Sequence, residues 1–114
     1  MRQNIEPSSL TTDIKAFAVR NHLRPTRLEV LGPTKEVESD FWLEDGLLLS
    51  GIDSDLAGKR GPYIEIMLQS QPHNHMTHSI AAVKRVELET KQGIDESLEI
   101  EDAAGTVTIM RFEA

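Results

Sequence analysis

The sequence predicts an α+β domain in which an N-terminal helix packs on a small, mostly antiparallel β-barrel or sandwich. Apolar residues recur at helical spacing before Pro25, and they alternate with polar residues after it. Sequences that favour turns separate the alternating segments at short intervals. These intervals leave no room for the crossover helices that a parallel sheet needs, so the strands are expected to pair antiparallel.

The helix is expected over residues 9–21. Leu10, Ile14 and Phe17 fall on one face when the segment is helical, and serines and threonines at its start are suitable N-caps. Pro25 cannot continue a helix, and it also disfavours helical geometry in the residue before it. The helix is therefore expected to end before this proline.

Strands are expected wherever apolar and polar residues alternate, because one face of such a strand is buried and the other is wetter. Ile66 is expected to be buried in a central strand. The alternating apolar positions are Leu28 and Val30; Val37, Phe41 and Leu43; Ile64, Ile66 and Leu68; Val86 and Leu88; and Leu98 and Ile100. The intervening turn sequences are Gly32-Pro33, Asp45-Gly46, Gly61-Pro62, Gly93 and Asp102-Ala103-Ala104-Gly105.

Length and composition restrict the class of protein. A chain of 114 residues fits a single domain over residues 1–114, in which residues 1–7 are expected to be flexible. The chain has no cysteine, which excludes disulfides, thiolate metal sites and cysteine nucleophiles. Its net charge of −7 argues against binding to nucleic acid or to an anionic membrane surface. No signal-peptide pattern opens the sequence, so a cytoplasmic location is expected, and no motif indicates a cofactor.

The second half of the chain resembles a family of short bacterial proteins that is catalogued only as a domain of unknown function. The match lies mainly over residues 51–112, and the segment from Lys35 to Asp45 matches poorly. The family carries no known activity, so the resemblance implies a shared fold and no catalytic residue. The matching stretches are Gly51-Ile52-Asp53-Ser54-Asp55, Ile64-Glu65-Ile66, His75-Met76-Thr77-His78-Ser79-Ile80, Val86-Glu87-Leu88-Glu89, Gly93 to Glu101, and Gly105-Thr106 to Arg111-Phe112.

Three of the four histidines lie within six residues, and they are the candidate metal ligands: His73, His75 and His78. If residues 75–80 form a strand, His75 lies on one face, and His78 lies on the other with Met76 and Ile80. Three interpretations follow. The histidines bind a metal with a further ligand, His78 is a core or rim residue, or Met76, His78 and Ile80 line the lumen of a ligand-binding barrel.

Four glutamates occupy the wetter face of two predicted strands. A glycosidase would need two carboxyl groups that face each other across a cleft, one of them buried so that its pKa is raised. A solvated acidic face is the simpler interpretation, and the sequence assigns no catalytic residue. The four are Glu87, Glu89, Glu99 and Glu101.

Trp42 is the only tryptophan. In a strand it would lie on the face opposite to that of Phe41 and Leu43. Tyr63 and Met67 likewise lie on the face opposite to that of Ile64 and Ile66 in their strand. Either the helix covers this face or it is a partner surface. The sequence favours a non-enzymatic binding or regulatory module with an unknown ligand, and a homodimer is expected with Trp42, Tyr63 and Met67 in its interface. The alternatives are a histidine-dependent metal protein or enzyme, and a small-molecule-binding barrel.

Overall fold

The computed structural model describes residues 1–32, 37–41, 47–55, 61–71 and 74–112. Within these ranges the chain forms one α-helix, nine β-strands and a short 3-10 helix. In chain order the elements are β1 (Arg2–Asn4), the 3-10 helix (Pro7–Ser9), α1 (Leu10–Arg20), β2 (Pro25–Leu31), β3 (Val37–Phe41), β4 (Leu47–Asp55), β5 (Tyr63–Gln71), β6 (Asn74–Ile80), β7 (Val83–Lys91), β8 (Ile94–Asp102) and β9 (Val107–Phe112).

The helix α1 confirms the prediction from apolar spacing. Its predicted apolar face is buried, with Leu10, Ile14 and Phe17 at 3%, 0% and 0% exposure. The helix ends at Arg20, and the main-chain N–H of its C-cap residue, Asn21, donates to the carbonyl oxygen of Phe17 at 3.1 Å. Leu23 then adopts a positive φ of 66°, and β2 begins at Pro25.

The nine described strands form one antiparallel sheet, which confirms the α+β class. Eight of them follow the order β1-β7-β8-β9-β2-β4-β5-β6, and β3 pairs with β2. The end strands β1 and β6 do not pair with each other within the described part of the chain. The sheet described here is therefore open, and the closed barrel among the predicted architectures is not confirmed.

The sheet divides beside β2. The first residues of this strand, Pro25 and Thr26, pair with β4, whereas its second half from Leu28 to Leu31 pairs with β3. Just before β2 begins, the main chain of Leu49 in β4 exchanges hydrogen bonds with Leu23 and Arg24. The helix α1 packs alongside β4 and contributes its apolar face to the same core.

One hydrophobic core joins the helix to the strands. In β5 the residues Ile64, Ile66 and Leu68 have no exposed surface, and β5 lies between β4 and β6. The expected burial of Ile66 in an internal strand is therefore confirmed. The strand β9 differs from the other strands because four successive residues, from Val107 to Met110, are buried.

The N-terminal residues, which were expected to be flexible, have defined partners. Residues Arg2 to Asn4 pair with Glu87 to Glu89 of β7, and the N–H of Ile5 donates to the carbonyl oxygen of Val86 at 2.8 Å. The side chain of Ile5 is 7% exposed and belongs to the core. Flexibility of residues 1–7 in solution stays a prediction.

A two-residue turn joins β7 to β8. Gln92 and Gly93 both have positive φ, at 54° and 79°. This is the geometry of a type I′ turn, whose twist matches that of the strands it connects, and glycine takes it without steric cost. The turn confirms the expectation at Gly93 and places Asp95, the second residue of β8, close to the end of α1.

Candidate functional site

The strand β6 carries two of the three candidate metal ligands on opposite faces. His75 is exposed, whereas His78 is half-buried on the face that it shares with Met76 and Ile80. His78 lies opposite Ile66 of β5, and its Nε2 is 3.4 Å from the hydroxyl oxygen of Thr108 in β9. The alternation on β6 therefore follows the expected parity, and His78 occupies the rim of the core.

This geometry gives limited support to a metal site. Within the described ranges, no three His, Asp or Glu side chains come together as metal ligands. His73 lies outside the described residues, and a metal site formed by the three histidines stays a prediction. Burial lowers the pKa of His78, which favours the neutral imidazole.

A lumen around Met76, His78 and Ile80 is the second interpretation of this segment. Ile80 is 6% exposed and belongs to the hydrophobic core, and Met76 packs against that core. These side chains therefore contact other core residues on the inner face of β6. The lumen of a ligand-binding barrel also requires a closed sheet, and the described sheet is open.

The half-burial of His78 predicts a pH-dependent stability. Because the native pKa lies below the unfolded value of 6.5, the unfolded chain binds more protons as the pH falls. This contribution to stability is fully present above pH 6.5 and is lost as the pH falls through the native pKa. We expect urea denaturation of His78→Gln to show a smaller loss of unfolding free energy between pH 7 and pH 5 than the wild type shows.

The exposed His75 provides the matched control for this measurement. His75→Gln should keep the pH dependence of the wild type, because its side chain lies on the outer face of β6. An identical loss of stability in wild type and His78→Gln over this pH range would show that burial does not perturb the His78 imidazole.

The four predicted surface glutamates lie on one face of β7 and β8, as expected, but they are not simply solvated. Arg85 contacts Glu87, Glu99 and Glu101, each at 2.9 Å. Arg2 of β1 contacts Glu87 at 2.7 Å, Glu89 at 3.4 Å and Glu99 at 3.5 Å. We call these six residues the arginine–glutamate cluster; they are Arg2, Arg85, Glu87, Glu89, Glu99 and Glu101.

The electrostatics of this cluster are the opposite of what a catalytic acid requires. The hydrogen bond from Arg2 is the largest influence on Glu87 and holds the pKa of its carboxyl group below the usual value. Burial opposes the charge of Arg85, but hydrogen bonds to Glu101 and Glu99 outweigh it and raise the pKa of this guanidinium. Ion pairs of this kind join β1, β7 and β8, and they favour the ionised form of Glu87, whereas a catalytic acid needs a raised pKa.

A second polar cluster, which we call the Asp95 cluster, joins α1 to β8. The Asp95 carboxylate, in a residue 7% exposed, accepts hydrogen bonds from Arg20 Nε at 3.0 Å and from Asn21 Nδ2 at 2.8 Å. Arg24 donates to Asn21 Oδ1 at 2.7 Å and to the Asp95 carbonyl oxygen at 2.9 Å. Its guanidinium lies 4.2 Å from the centre of the Phe112 ring. These contacts satisfy one another, which is typical of a structural cluster.

Sequence reasoning placed the four glutamates on one face, but it did not indicate their arginine partners or the Asp95 cluster. Arg2 and Glu87 are 85 residues apart, and Asn21 and Asp95 are 74 apart, so their contacts depend on strand order. For the Asp95 cluster the indication was local, since Asp95 follows the glycine turn between two alternating segments.

The residues proposed for a dimer interface are only partly described. Trp42 lies outside the described residues. Tyr63 and Met67 are half-buried on the outer face of β5, and the Tyr63 hydroxyl donates to the Glu65 carboxylate. Met67 also lines a shallow groove of about 380 Å³ between α1 and β4, where Val19 is 73% exposed.

The outer edge of β6 is the other notable feature of this end of the sheet. Among the described strands, β6 pairs only with β5. Its seven residues, Asn74–Ile80, contain no Lys, Arg, Asp, Glu or Pro. One of its faces is polar and exposed, and the other continues the core through Met76 and Ile80.

Comparison with known proteins adds no functional assignment. No family model matches the chain, and neither the curated proteins nor the solved structures contain a significant match. The resemblance to a domain of unknown function therefore stays a prediction. In the described part of the chain, α1 is too short and too polar to cross a membrane.

Proposed function

We propose that this protein is a non-enzymatic binding module that associates with a second copy of itself through the edge of β6. One observation carries the proposal: in the described part of the chain, the sheet ends in a seven-residue strand that carries no charged residue and no proline. Natural proteins usually protect such an edge with lysine, proline, a very short strand or a covering element. An unprotected edge favours strand addition, in which main-chain hydrogen bonds hold the partner.

A second copy suits this edge for two reasons. The chain as a whole carries a charge of −7, so two copies repel each other over most of their surfaces, but β6 contributes no formal charge at neutral pH. In an antiparallel pair related by a two-fold axis, opposite residues share a face. The apolar face of β6, with Met76 and Ile80, would then continue into the same face of the other copy.

The polar clusters support a binding function over catalysis. The carboxylates of the arginine–glutamate cluster and the Asp95 cluster are held by arginine or amide groups of the same chain. Such groups stabilise the arrangement of strands, and binding at β6 does not require any of them to react.

The test is to place a lysine at the centre of β6. We expect the wild type to sediment at twice the 12.8 kDa chain mass at micromolar concentration. Thr77→Lys should raise the dissociation constant about tenfold or more, equivalent to ~1.4 kcal/mol, because like charges would face each other across the new strand pair. Thr77 is exposed, so this substitution should leave the fold intact.

Gln3→Lys is the matched control, because it introduces the same charge at β1, the opposite end of the sheet. This variant should remain as dimeric as the wild type. A wild type that is monomeric at high concentration, or equal weakening by the two lysines, would contradict pairing through β6.

A further inference from the structure

A pocket of about 280 Å³ lies beside the first residues of β7, and no residue of β6 lines it. It is present because β1 is shorter than β7. The pairing between them covers Glu87 to Glu89, and the last contact is the hydrogen bond from Ile5 to Val86. Beyond Ile5 the chain leaves the sheet and enters the 3-10 helix at Pro7.

The walls of this pocket are apolar and fixed in place. Ile5, Leu10, Val83 and Val86 lie between 2% and 8% exposed and belong to the hydrophobic core. Pro62 also lines the pocket, and its carbonyl oxygen accepts a hydrogen bond from the Val83 N–H at 2.8 Å. An apolar ligand group placed here would therefore contact residues that are already ordered.

Two cationic residues, Lys84 and Arg85, also line the pocket, and they differ in availability. Arg85 belongs to the arginine–glutamate cluster and is neutralised by it. Lys84 is exposed and makes no ion pair within the described part of the chain. It also lies at a register shift between Val83 and Arg85, and such bulges redirect a side chain away from regular pleating.

We infer that this pocket binds a small anionic amphiphile, a carboxylate on a short aliphatic chain. The aliphatic chain lies against Ile5, Val83 and Val86, and the carboxylate pairs with the Lys84 ammonium. A cavity of about 150 Å³ accommodates benzene, so the volume present here suits a ligand on the order of ten non-hydrogen atoms. This inference does not depend on self-association, because β6 contributes no residue to the pocket.

The experiment is an NMR titration of the full chain with sodium octanoate, and with octan-1-ol as the uncharged ligand of similar length. Octanoate should produce saturable shifts at the main-chain amides of Ile5, Val83 and Val86, with one binding site per chain. Octan-1-ol should bind at least fivefold more weakly. Lys84→Glu should weaken octanoate binding about tenfold or more, because it replaces attraction by repulsion at the carboxylate.

Lys91→Glu makes the same charge change at the far end of β7 and should leave octanoate binding unchanged. Equal affinities for octanoate and octan-1-ol, or equal weakening by the two lysine variants, would overturn the role of Lys84. The absence of saturable shifts at the pocket amides at millimolar octanoate would overturn the site. None of these outcomes changes the oligomeric state by which the proposed function is tested.

Discussion

Replacing Ile66 by alanine is expected to lower the free energy of unfolding by about 2–5 kcal/mol. The side chain has no exposed surface, and it lies in β5 between Ile52 of β4 and His78 of β6. The substitution removes apolar surface from the core and leaves a cavity that this tightly connected part of the sheet cannot close. Urea denaturation followed by circular dichroism measures the effect.

Thr77→Ala is the matched control for this variant. Thr77 lies on the exposed face of the neighbouring strand β6, and its replacement should change stability by less than about 0.5 kcal/mol. A loss of less than about 1 kcal/mol for Ile66→Ala would mean that the register of β5 differs from the one described.

Replacing Asp95 by alanine is the second change with a large expected effect. We expect a loss of about 2–3 kcal/mol, because the Asn21 amide and the Arg20 guanidinium lose a charged acceptor at the same time. Asn21 is 2% exposed and has no access to bulk water as a substitute. Since the Arg20 side chain is 51% exposed, most of the cost is assigned to Asn21.

Thermal and chemical denaturation of Asp95→Ala should be compared with Glu96→Ala, in which the exposed neighbouring carboxylate is removed. Glu96→Ala should be neutral to within about 0.5 kcal/mol. If both variants lose the same stability, the effect comes from net charge or strand propensity, and the Asp95 cluster does not hold α1 to β8.

The sequence predicted the elements whose two faces differ in environment. The helix α1 and the strand β5 each have one apolar face, and both were confirmed together with the register of His78. The strand β9 shows no such difference, because Val107 to Met110 are buried on both faces. The strand β1 has the opposite property, since Arg2 to Asn4 are all exposed, and alternation cannot reveal either strand.

The candidate site was less predictable than the fold, because its contacts join distant parts of the chain. Parity placed His75 and His78 on opposite faces. It could not show that Arg2 would neutralise Glu87, so the expectation of a simply solvated acidic face was incomplete. The arginine partner lies on a strand that the sequence pattern did not indicate.

The position of β9 has a consequence for how the chain reaches its native state. In the hydrogen-bonded order of the sheet, β9 joins β8 to β2 and is the last described strand in the sequence. Without it the described strands fall into two separate groups, β1-β7-β8 and β2-β4-β5-β6 with β3. Either group can form hairpins early, but the two become one hydrogen-bonded sheet only after β9 has docked between them. Because β2 and β9 are far apart in sequence, pairing them closes a long loop of chain. Closing this loop has a large entropic cost. We therefore expect folding to be limited by the docking of β9, late and in a single step.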